Sequence, residues 1–345
     1  MARIVLADDG IVFDGDTPKE RPLGGVESSI VNLTRTLAAR GHQVMVRNMC
    51  REARIIDGVD WAPLADGLPE RADLYIANRG DKLIARMPGA KRTVFWIHNP
   101  ARYLLKWRYL RKLWRHKPAI VFIGDYHATT YPVWAPGGDR VVIPYGIASE
   151  FVDLPVRPAP AIPRAIFTSN PLRSLDWLLD LWSKAIRPRV PGAELHLFAG
   201  ATTYGAVGDA KAAEMAAILA KAHDLVKMGV VVRDPVAKPR LIGEFQSARV
   251  MLYRGDLNET FCLAVGEAQA AGVPAVVGRF GSVVERVIDG ETGTIADNDM
   301  MFADAAVRLL TDDVWWTRCH TAALDRQGRW GWDQAAQAFE ELIPL

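Results

Sequence analysis

The feature that most constrains the fold is a repeated alternation of short apolar segments with longer amphipathic ones along the 345-residue chain. Near-continuous apolar strands separated by helices are typical of parallel sheets that helices cover on both faces. A helical pattern at residues 26–39, for example, is bounded by Gly25 and closed by Gly41. The predicted strands cover residues 3–7, 43–46, 74–77, 93–97, 120–123 and 141–144, and then 165–168, 195–199, 230–232, 250–253 and 275–277.

A proline-rich stretch separates these two series of strands. Four prolines stand between residues 151 and 163, and such a density is incompatible with the interior of a helix or a sheet. We therefore predict an N-terminal doubly wound domain at 1–150, a linker at 151–163 and a second doubly wound domain at 164–331. Residues 332–345 form a predicted helix that is a candidate to pack back on the first domain.

Composition favours an ordinary soluble protein. The 42 basic and 40 acidic residues nearly cancel, and the three cysteines are far apart, with no metal-ligand spacing and no disulfide framework. The chain starts directly with a strand pattern, and no apolar run approaches the length of a membrane span. These features predict a cytoplasmic protein, either free or attached to the inner face of the cytoplasmic membrane.

The segment 258–272, with the sequence NETFCLAVGEAQAAG, contains the candidate chemistry of the second domain. It follows the predicted strand 250–253, so Glu259 is expected in the loop at the strand's carboxyl end. We predict that residues 260–263 form the first turn of a helix, whose free N–H groups would attract a diphosphate. Glu267 lies farther along this apolar helix, where a carboxylate needs a hydrogen-bonding partner.

This segment resembles the donor-site signature of the retaining family 4 glycosyltransferases of the GT-B fold. Other segments are similar to that family's landmarks, in the same order: the GGVE turn that starts at Gly24, His98 after a strand, and VIPYGI at 142–147. The resemblance covers nearly the entire chain. It implies two Rossmann-like domains that face a cleft, with the acceptor bound by the first domain and the nucleotide-sugar by the second.

The resemblance also implies a role for individual positions. Glu259 would contact the hydroxyls of the donor sugar, Glu267 the ribose, and His98 the reacting sugar through its ring or its backbone carbonyl. The remaining donor-binding residues implied by the resemblance are Gly24, Gly25, Asn170, Thr260, Phe261, Cys262 and Leu263.

One segment departs from the family pattern. Relatives carry an Arg and a Lys that clamp the diphosphate, whereas here Thr168 stands in place of the Arg and Arg173 in place of the Lys. Arginine is a good bidentate phosphate ligand, so we expect a clamp that is lighter by one charge. We predict no catalytic metal and no cofactor besides a UDP- or GDP-linked sugar substrate, because the two D-x-D motifs, at 14–16 and 297–299, lie in polar turn sequences.

Residues 102–117 are unusually basic and aromatic. At helical spacing Tyr103, Trp107, Leu110 and Trp114 share one face, which either packs on the first domain or lies on a membrane surface. Nucleic-acid binding ranks below both, because the rest of the chain has no recognised module for it. The candidate acceptor- or membrane-binding residues are Arg102, Lys106, Trp107, Arg108, Arg111, Lys112 and Arg115.

The sequence therefore predicts a retaining, metal-independent hexosyltransferase that uses a nucleoside-diphosphate sugar. The acceptor would be a glycan or a lipid-linked molecule, in the synthesis of cell-envelope polysaccharide, lipopolysaccharide or glycolipid. Two alternatives stay open: another GT-B enzyme, such as a nucleotide-sugar epimerase or a phosphorylase, or a non-catalytic protein of this fold that binds nucleotide-sugars or membranes. The donor base, the acceptor and the oligomeric state are not determined by the sequence.

Overall fold

The structure is a computed structural model that describes residues 1–200 and 211–344, and they divide into two compact α/β units. The first unit comprises Met1–Glu20, Gly25–Gly146 and Trp330–Leu345. The second comprises Arg21–Gly24 and Ile147–Arg329.

The first unit is built on an eight-stranded sheet with the order β3-β4-β2-β1-β5-β6-β7-β8. All neighbouring strands are parallel except β3 and β4, which pair as an antiparallel hairpin. The strands are β1 Arg3–Asp8, β2 Gln43–Asn48, β3 Arg54–Ile56, β4 Val59–Pro63, β5 Ala72–Asn78, β6 Ala90–Trp96, β7 Ala119–Phe122 and β8 Arg140–Val142.

Helices cover this sheet, and their buried residues explain why they form where they do. In the longest, the buried residues Ile30, Leu33 and Leu37 recur at intervals of three and four, which places them on one face. The helices of the chain up to residue 146 are α1 Thr17–Glu20, α2 Gly25–Ala39, α3 Trp107–His116 and α4 Asp125–Thr129, with 3₁₀ turns at Leu64–Asp66 and Ala101–Leu105.

The two indoles of α3 do not pack on the first unit, which was one of the two alternatives for this face. Its buried residues are Tyr109 and Leu113, whereas Trp107 and Trp114 are 76% and 70% exposed. The predicted helical face assumed one continuous helix from residue 102, but the first turn is 3₁₀ and Lys106 is extended (ψ 137°). This break separates Tyr103 from the register of α3, so aliphatic and phenolic side chains, not the two indoles, face the core.

The second unit has a six-stranded parallel sheet with the order β11-β10-β9-β12-β13-β14. Its strands are β9 Arg164–Phe167, β10 Glu194–Phe198, β11 Val230–Arg233, β12 Val250–Tyr253, β13 Ala275–Gly278 and β14 Gly293–Ala296. Its helices are α5 Leu175–Leu181, which continues as a π turn through Ile186, then α6 Ala212–Asp224, α7 Lys238–Gln246, α8 Leu263–Ala270, α9 Asp299–Thr311 and α10 Asp313–Gln327, with 3₁₀ turns at Ser149–Phe151, Val226–Met228 and Gly281–Arg286.

The segment predicted as a proline-rich linker is packed as part of the second unit. Phe151 is fully buried and lies 5.9 Å from the ring of Phe245. The backbone N–H of Arg157 donates to Nε2 of His320 at 3.1 Å, and its guanidinium stacks on Trp316. The prolines exclude regular structure, as expected, but they do not prevent an extended segment from packing against helices.

The last helix of the chain, α11 Trp332–Glu340, belongs to the first unit. Phe339 packs edge-on against Trp96 at 5.3 Å between ring centroids, and Trp332 lies 6.0 Å from Tyr145. Arg40 and His42 both bond the carboxylate of Glu340, at 2.7 Å and 2.8 Å. Across residues 1–200 and 211–344, no helix combines the length and the apolar character that crossing a bilayer requires.

Candidate active site

Glu259 lies at the centre of a hydrogen-bonded cluster in the second unit. The chain leaves β12 at Tyr253 and turns at Gly255, whose φ of +91° favours glycine. The loop then returns the Glu259 carboxylate to the end of its own strand. There Oε2 accepts from the Tyr253 hydroxyl at 2.6 Å, and Oε1 accepts from the Cys262 N–H at 3.3 Å. Two donors therefore hold the carboxylate in one orientation.

Arg173 meets this cluster from the loop that follows β9. Its Nη1 lies 3.3 Å from Oδ1 of Asp256 and 3.5 Å from Oε2 of Glu259. Burial lowers the pKa of the guanidinium, but the Glu259 charge and the other nearby acids outweigh that effect, so the pKa is raised overall. The fold thus places a positive charge beside Glu259, the residue that the sequence predicts to contact the donor sugar. Asp256 is an acidic neighbour that the sequence analysis did not single out.

The two protic neighbours of Glu259 stay protonated. Burial, followed by the Glu259 charge, raises the pKa of the Tyr253 hydroxyl well above its ordinary value. The same two causes raise the pKa of the Cys262 thiol. Tyr253 therefore acts as a hydrogen-bond donor, and Cys262 is a neutral buried thiol at neutral pH.

The predicted first helical turn at 260–263 is wrong by about three residues. Helix α8 begins at Leu263, and Cys262 precedes it in the left-handed conformation (φ 64°, ψ 65°). Thr260 and Phe261 lie in the preceding loop, and both are buried. The helix starts late because the Glu259 side chain accepts a hydrogen bond from the N–H of Cys262, the residue that immediately precedes the helix. The helix N-terminus still follows directly, so the first-turn N–H groups remain a potential anion site.

Asn170 and Ser174 form hydrogen bonds that hold the loop carrying Arg173. Oδ1 of Asn170 accepts from the N–H of Leu172 at 2.9 Å, which closes a local turn. Ser174 precedes α5 with φ 62°, and its hydroxyl donates to the carbonyl of Gly255 at 3.2 Å. This bond joins the Arg173 loop directly to the loop that carries Glu259.

Glu267 has a partner that the sequence analysis missed. Its carboxylate is 5% exposed and forms an ion pair with Nζ of Lys238, the first residue of α7. Lys238 also stands over the ring of Phe151, 5.7 Å from its centroid. The buried carboxylate on an apolar helix thus needs no sugar hydroxyl to be satisfied. The signal that could have located Lys238 is its place: a lone Lys opening a helix soon after β11, at the carboxyl edge of the sheet.

In the first unit, His98 is part of a buried chain of hydrogen bonds. Its Nε2 lies 2.5 Å from Oδ1 of Asn78, and its Nδ1 lies 2.5 Å from the hydroxyl of Tyr145. Asn78, at the end of β5, donates through Nδ2 to Oδ1 of Asp8 at 2.6 Å, and Asp8 ends the neighbouring strand β1. The parallel pairing of β1 with β5 places Asp8 directly opposite Asn78.

The direction of these bonds fixes the state of the imidazole. The Asn78 amide turns its NH₂ group to the Asp8 carboxylate, so its oxygen faces His98 and accepts a hydrogen bond from the Nε2–H group. Nδ1 is then the acceptor, and the Tyr145 hydroxyl donates to it. Burial, and then the charge of Arg79, lowers the pKa of His98 well below its ordinary value. The ring is neutral and carries its proton on Nε2.

Arg79 is a further residue that the sequence analysis missed. Its guanidinium donates to both oxygens of Asp8, at 3.0 Å and 3.2 Å, and to Oε1 of Glu27 at 2.9 Å. Glu27 is in the first turn of α2, which Gly25 begins, so the predicted GGVE turn contributes this acid. Arg79 has a left-handed φ of 47°, uncommon for a residue other than glycine. Because Arg79 directly follows strand β5, its position was the available signal.

The aspartates of the two D-x-D motifs are used locally. Oδ1 of Asp14 accepts from the N–H groups of Asp16 and Thr17 at 3.1 Å, as in an Asx turn. Asp297 pairs with Arg279, and Asp299 accepts from the indole of Trp177. Within the described parts of the chain, no three His, Cys, Asp or Glu residues are grouped so that they could hold a metal ion.

The model of the family described as Glycosyl transferases group 1 matches residues 163–312 of the chain. D-inositol 3-phosphate glycosyltransferase of Corynebacterium diphtheriae is 36% identical over 111 residues, which are 32% of this chain and 26% of that protein. The protein of the same name from Arthrobacter sp. (strain FB24) is 33% identical over 158 residues, 44% of this chain and 35% of the relative. The matched region thus spans about a quarter to a third of these relatives.

Solved structures with a similar fold cover nearly the entire chain. Sucrose-phosphate synthase from Thermosynechococcus elongatus has a TM-score of 0.75 at 15% identity, covering 99% of this chain and 98% of that one. Trehalose-6-phosphate synthase OtsA reaches 0.77 at 12% identity, and Anabaena HepE in complex with UDP-glucose 0.70 at 14%; each match covers 99% of both chains. Residues 163–312 in the second unit are thus similar to the group 1 glycosyltransferases, and the two parallel-sheet units have the GT-B fold.

Proposed function

We propose that this protein transfers a sugar from a UDP- or GDP-linked donor to an acceptor with retention of anomeric configuration, as a hexosyltransferase. The observation that carries the proposal is the arrangement around Glu259 in the second unit. A carboxylate held by Tyr253 and by the Cys262 N–H, beside Arg173 and a helix N-terminus, offers an acceptor for sugar hydroxyls next to donors for a diphosphate.

Departure of the diphosphate is the step that this site would assist most. As the bond from the anomeric carbon to the phosphate oxygen breaks, negative charge develops on the leaving group and positive charge on the sugar ring. Arg173 and the N–H groups at the start of α8 would stabilise the leaving group, and Glu259 would orient the sugar. The acceptor oxygen would form its bond on the same face, and its proton would pass to the departing phosphate.

His98 would contribute through its backbone rather than its ring. Both ring nitrogens already have partners, Asn78 and Tyr145, and the ring is neutral. The imidazole is therefore poorly placed to act as a general base. We propose that the hydrogen-bonded chain fixes the position of residue 98, so that its carbonyl meets the reacting sugar.

The remaining donor contacts are proposed at Gly24, Gly25, Asn170, Thr260, Phe261, Leu263 and Glu267. For Glu267, the proposal requires the ribose to share or replace the Lys238 partner. The acceptor is proposed to be a glycan or a lipid-linked molecule used in the cell envelope, with the enzyme in the cytoplasm or peripherally on the inner face of the membrane. The reaction is proposed to need no metal.

The test is a comparison of Glu259→Gln with Glu214→Gln, an exposed glutamate on α6 that serves as the matched control. Turnover of UDP-, GDP- and ADP-sugars would be measured by release of the nucleotide, and nucleotide binding by calorimetry. Replacing a charged hydrogen-bond acceptor costs about 1.5–3 kcal/mol, so we expect Glu259→Gln to slow turnover by about ten- to a hundredfold. Nucleotide affinity should change little.

Product analysis separates this proposal from its rivals. An epimerase would convert the donor without any acceptor, and a phosphorylase would require inorganic phosphate. A non-catalytic protein would bind the nucleotide without turnover. Equal turnover by Glu259→Gln and Glu214→Gln would refute the assigned role of Glu259.

A further inference from the structure

Helix α3 presents two indole rings to solvent. Trp107 and Trp114 are seven residues apart, so they lie on the same side of the helix, and they are 76% and 70% exposed. Arg111 lies between them on that side and is also exposed. Exposed tryptophans are costly to leave in water, and two on one helical face mark an interaction surface.

The same segment carries positive charge that the protein does not neutralise. Residues 101–118 contain no Asp or Glu. Lys112 and Arg108 lie 2.8 Å and 3.6 Å from the Asp81 carboxylate. In contrast, the exposed cations Arg102, Lys106, Arg111 and Arg115 have no ion-pair partner in the parts of the chain that the structure describes.

A neighbouring loop adds a third exposed indole. Trp134 is 74% exposed and Val133 is 93% exposed. The loop is attached next to α3 at both ends: the Thr130 hydroxyl accepts from the N–H of Ala101 at 2.7 Å, and the N–H of Gly138 donates to the carbonyl of Pro118 at 2.9 Å.

This loop is held firmly in place. The guanidinium of Arg140 donates to four carbonyls of the loop and stacks 4.8 Å from the centroid of the Tyr131 ring. The Tyr131 hydroxyl donates to the carbonyl of Pro136 at 2.7 Å. The exposure of Trp134 is therefore a property of an ordered loop. The four carbonyls are those of Tyr131, Pro132, Val133 and Ala135.

Helix α3 and the loop lie on the same face of the first sheet. Tyr109 and Leu113 from the helix, and Tyr131 and Ala135 from the loop, belong to one hydrophobic cluster. Strand residues of alternating position, such as Phe95 on β6, complete that cluster. Since both elements pack inward on one sheet face, their outward sides are exposed on one side of the unit.

We propose that this surface binds an anionic membrane. We call it the cationic tryptophan surface, and define it by Lys106, Trp107, Arg111, Trp114, Arg115, Val133 and Trp134. Indole rings favour the interface between head groups and acyl chains, and unpaired arginines are attracted to anionic head groups. The exposed side of α3, from which the indoles project, fits such a planar interface. A nucleic acid would instead need a basic groove with stacking platforms.

This inference deepens the peripheral membrane location proposed above and assigns it to named residues. It does not depend on the sugar-transfer step, because vesicle binding is measured without any donor. Failure of vesicle binding would leave turnover of a nucleotide-sugar unaffected, and absence of turnover would leave vesicle binding unaffected.

The experiment is co-sedimentation of the full chain with mixed phosphatidylglycerol–phosphatidylcholine vesicles and with phosphatidylcholine vesicles alone. Each Lys or Arg near an anionic surface strengthens binding by about fivefold, so combining Lys106→Glu, Arg111→Glu and Arg115→Glu should weaken binding by at least about a hundredfold. Lys112 and Arg108 are left unchanged because of Asp81. A second variant, with Trp107, Trp114 and Trp134 all replaced by Ser, should also weaken it.

The matched control combines Arg51→Glu, Arg71→Glu and Lys227→Glu, which changes the net charge equally at exposed positions. It should retain vesicle binding, and circular dichroism should show that all variants are folded. Three outcomes would overturn the proposal: no preference for anionic vesicles, equal loss in the matched control, or tighter binding to single-stranded RNA than to anionic vesicles.

Discussion

Replacing Asn78 with leucine tests the hydrogen-bonded chain that ends on His98. The amide of Asn78 is fully buried and links two groups: it donates to Asp8 at 2.6 Å and accepts from His98 at 2.5 Å. Leucine has nearly the same size and shape, so the substitution removes both bonds while it leaves little empty space. Asp8 keeps its two bonds from Arg79, whereas Nε2 of His98 loses the acceptor described above.

The expected loss of stability follows from these two bonds. A hydrogen bond to a charged carboxylate contributes about 1.5–3 kcal/mol, and a buried donor without a partner costs about 1–3 kcal/mol. We therefore expect Asn78→Leu to lower the free energy of unfolding of the first unit by about 4 kcal/mol. Asn48→Leu is the matched control, because Asn48 ends β2, the strand on the other side of β1, and is equally buried, but bonds only to neutral backbone groups. Because Asn48→Leu removes two neutral hydrogen bonds, it should lower the free energy of unfolding by about 2 kcal/mol.

Hydrogen exchange of the amides in β1 and β5 is the appropriate assay, because it reports on the first unit separately in a chain with two units. A loss of 4 kcal/mol would accelerate exchange through global unfolding about a thousandfold. The ¹⁵N shifts of the His98 ring give an independent reading. The native protein should show one neutral tautomer with the proton on Nε2, and Asn78→Leu should lose that single state, whereas Asn48→Leu should retain it.

Two results would refute this reasoning. If the two variants lose the same stability, the charged partner of Asn78 adds nothing. If the His98 ring of the native protein carries its proton on Nδ1, or is an imidazolium at neutral pH, then the donor and acceptor roles assigned to the hydrogen bonds from Tyr145 to Asp8 are wrong.

Two further predictions concern the first unit. Burial lowers the pKa of His98, and it lowers that of His127 to about 4, so the folded state stays neutral where unfolded histidines bind protons. The free energy of unfolding should therefore fall as the pH drops below 6.5, by about 3 kcal/mol near pH 5. Denaturant titrations at several pH values measure this change, and a free energy that does not vary with pH would contradict the prediction. Glu340→Gln should lower stability by about 1 kcal/mol, an effect that salt diminishes, because the Arg40 and His42 hydrogen bonds that keep the pKa of Glu340 low are partly exposed. Equal stability of native protein and variant at low salt would contradict this second prediction.

Most strands were predictable because each is a short apolar segment followed by a polar turn. The predicted segment 250–253 has the bounds of β12, and the others differ from the observed strands by one to three residues at an end. Strands β3 and β4 were missed because their sequences, RII and VDWAP, are not continuous apolar segments. The Asp57-Gly58 turn between them, with φ of 49° and 78°, was a usable hairpin signal. Strand β14 was missed because its sequence, GTIA, is not a continuous apolar segment.

Sequence patterns predicted candidate site residues, but not the contacts between them. Glu259 and Arg173 are far apart in sequence, and the structure brings them to 3.5 Å because β9 and β12 are neighbours in the sheet. The place of Lys238 at the start of α7 was a usable signal, but its pairing with Glu267 depends on how α7 packs in the fold. Likewise, no local pattern indicates that Asn78 joins His98 to Asp8; that contact depends on strand order.

The return of α11 to the first unit has a consequence for the order of folding during synthesis. Apart from Arg21–Gly24, the second unit is one uninterrupted segment, Ile147–Arg329, whereas the first unit must recruit residues from 330 onward. The ribosome therefore releases every element of the second unit before Phe339 can cover Trp96. Until then the side of the first sheet that receives α11 is uncovered, and a nascent chain paused there exposes aromatic surface to chaperones.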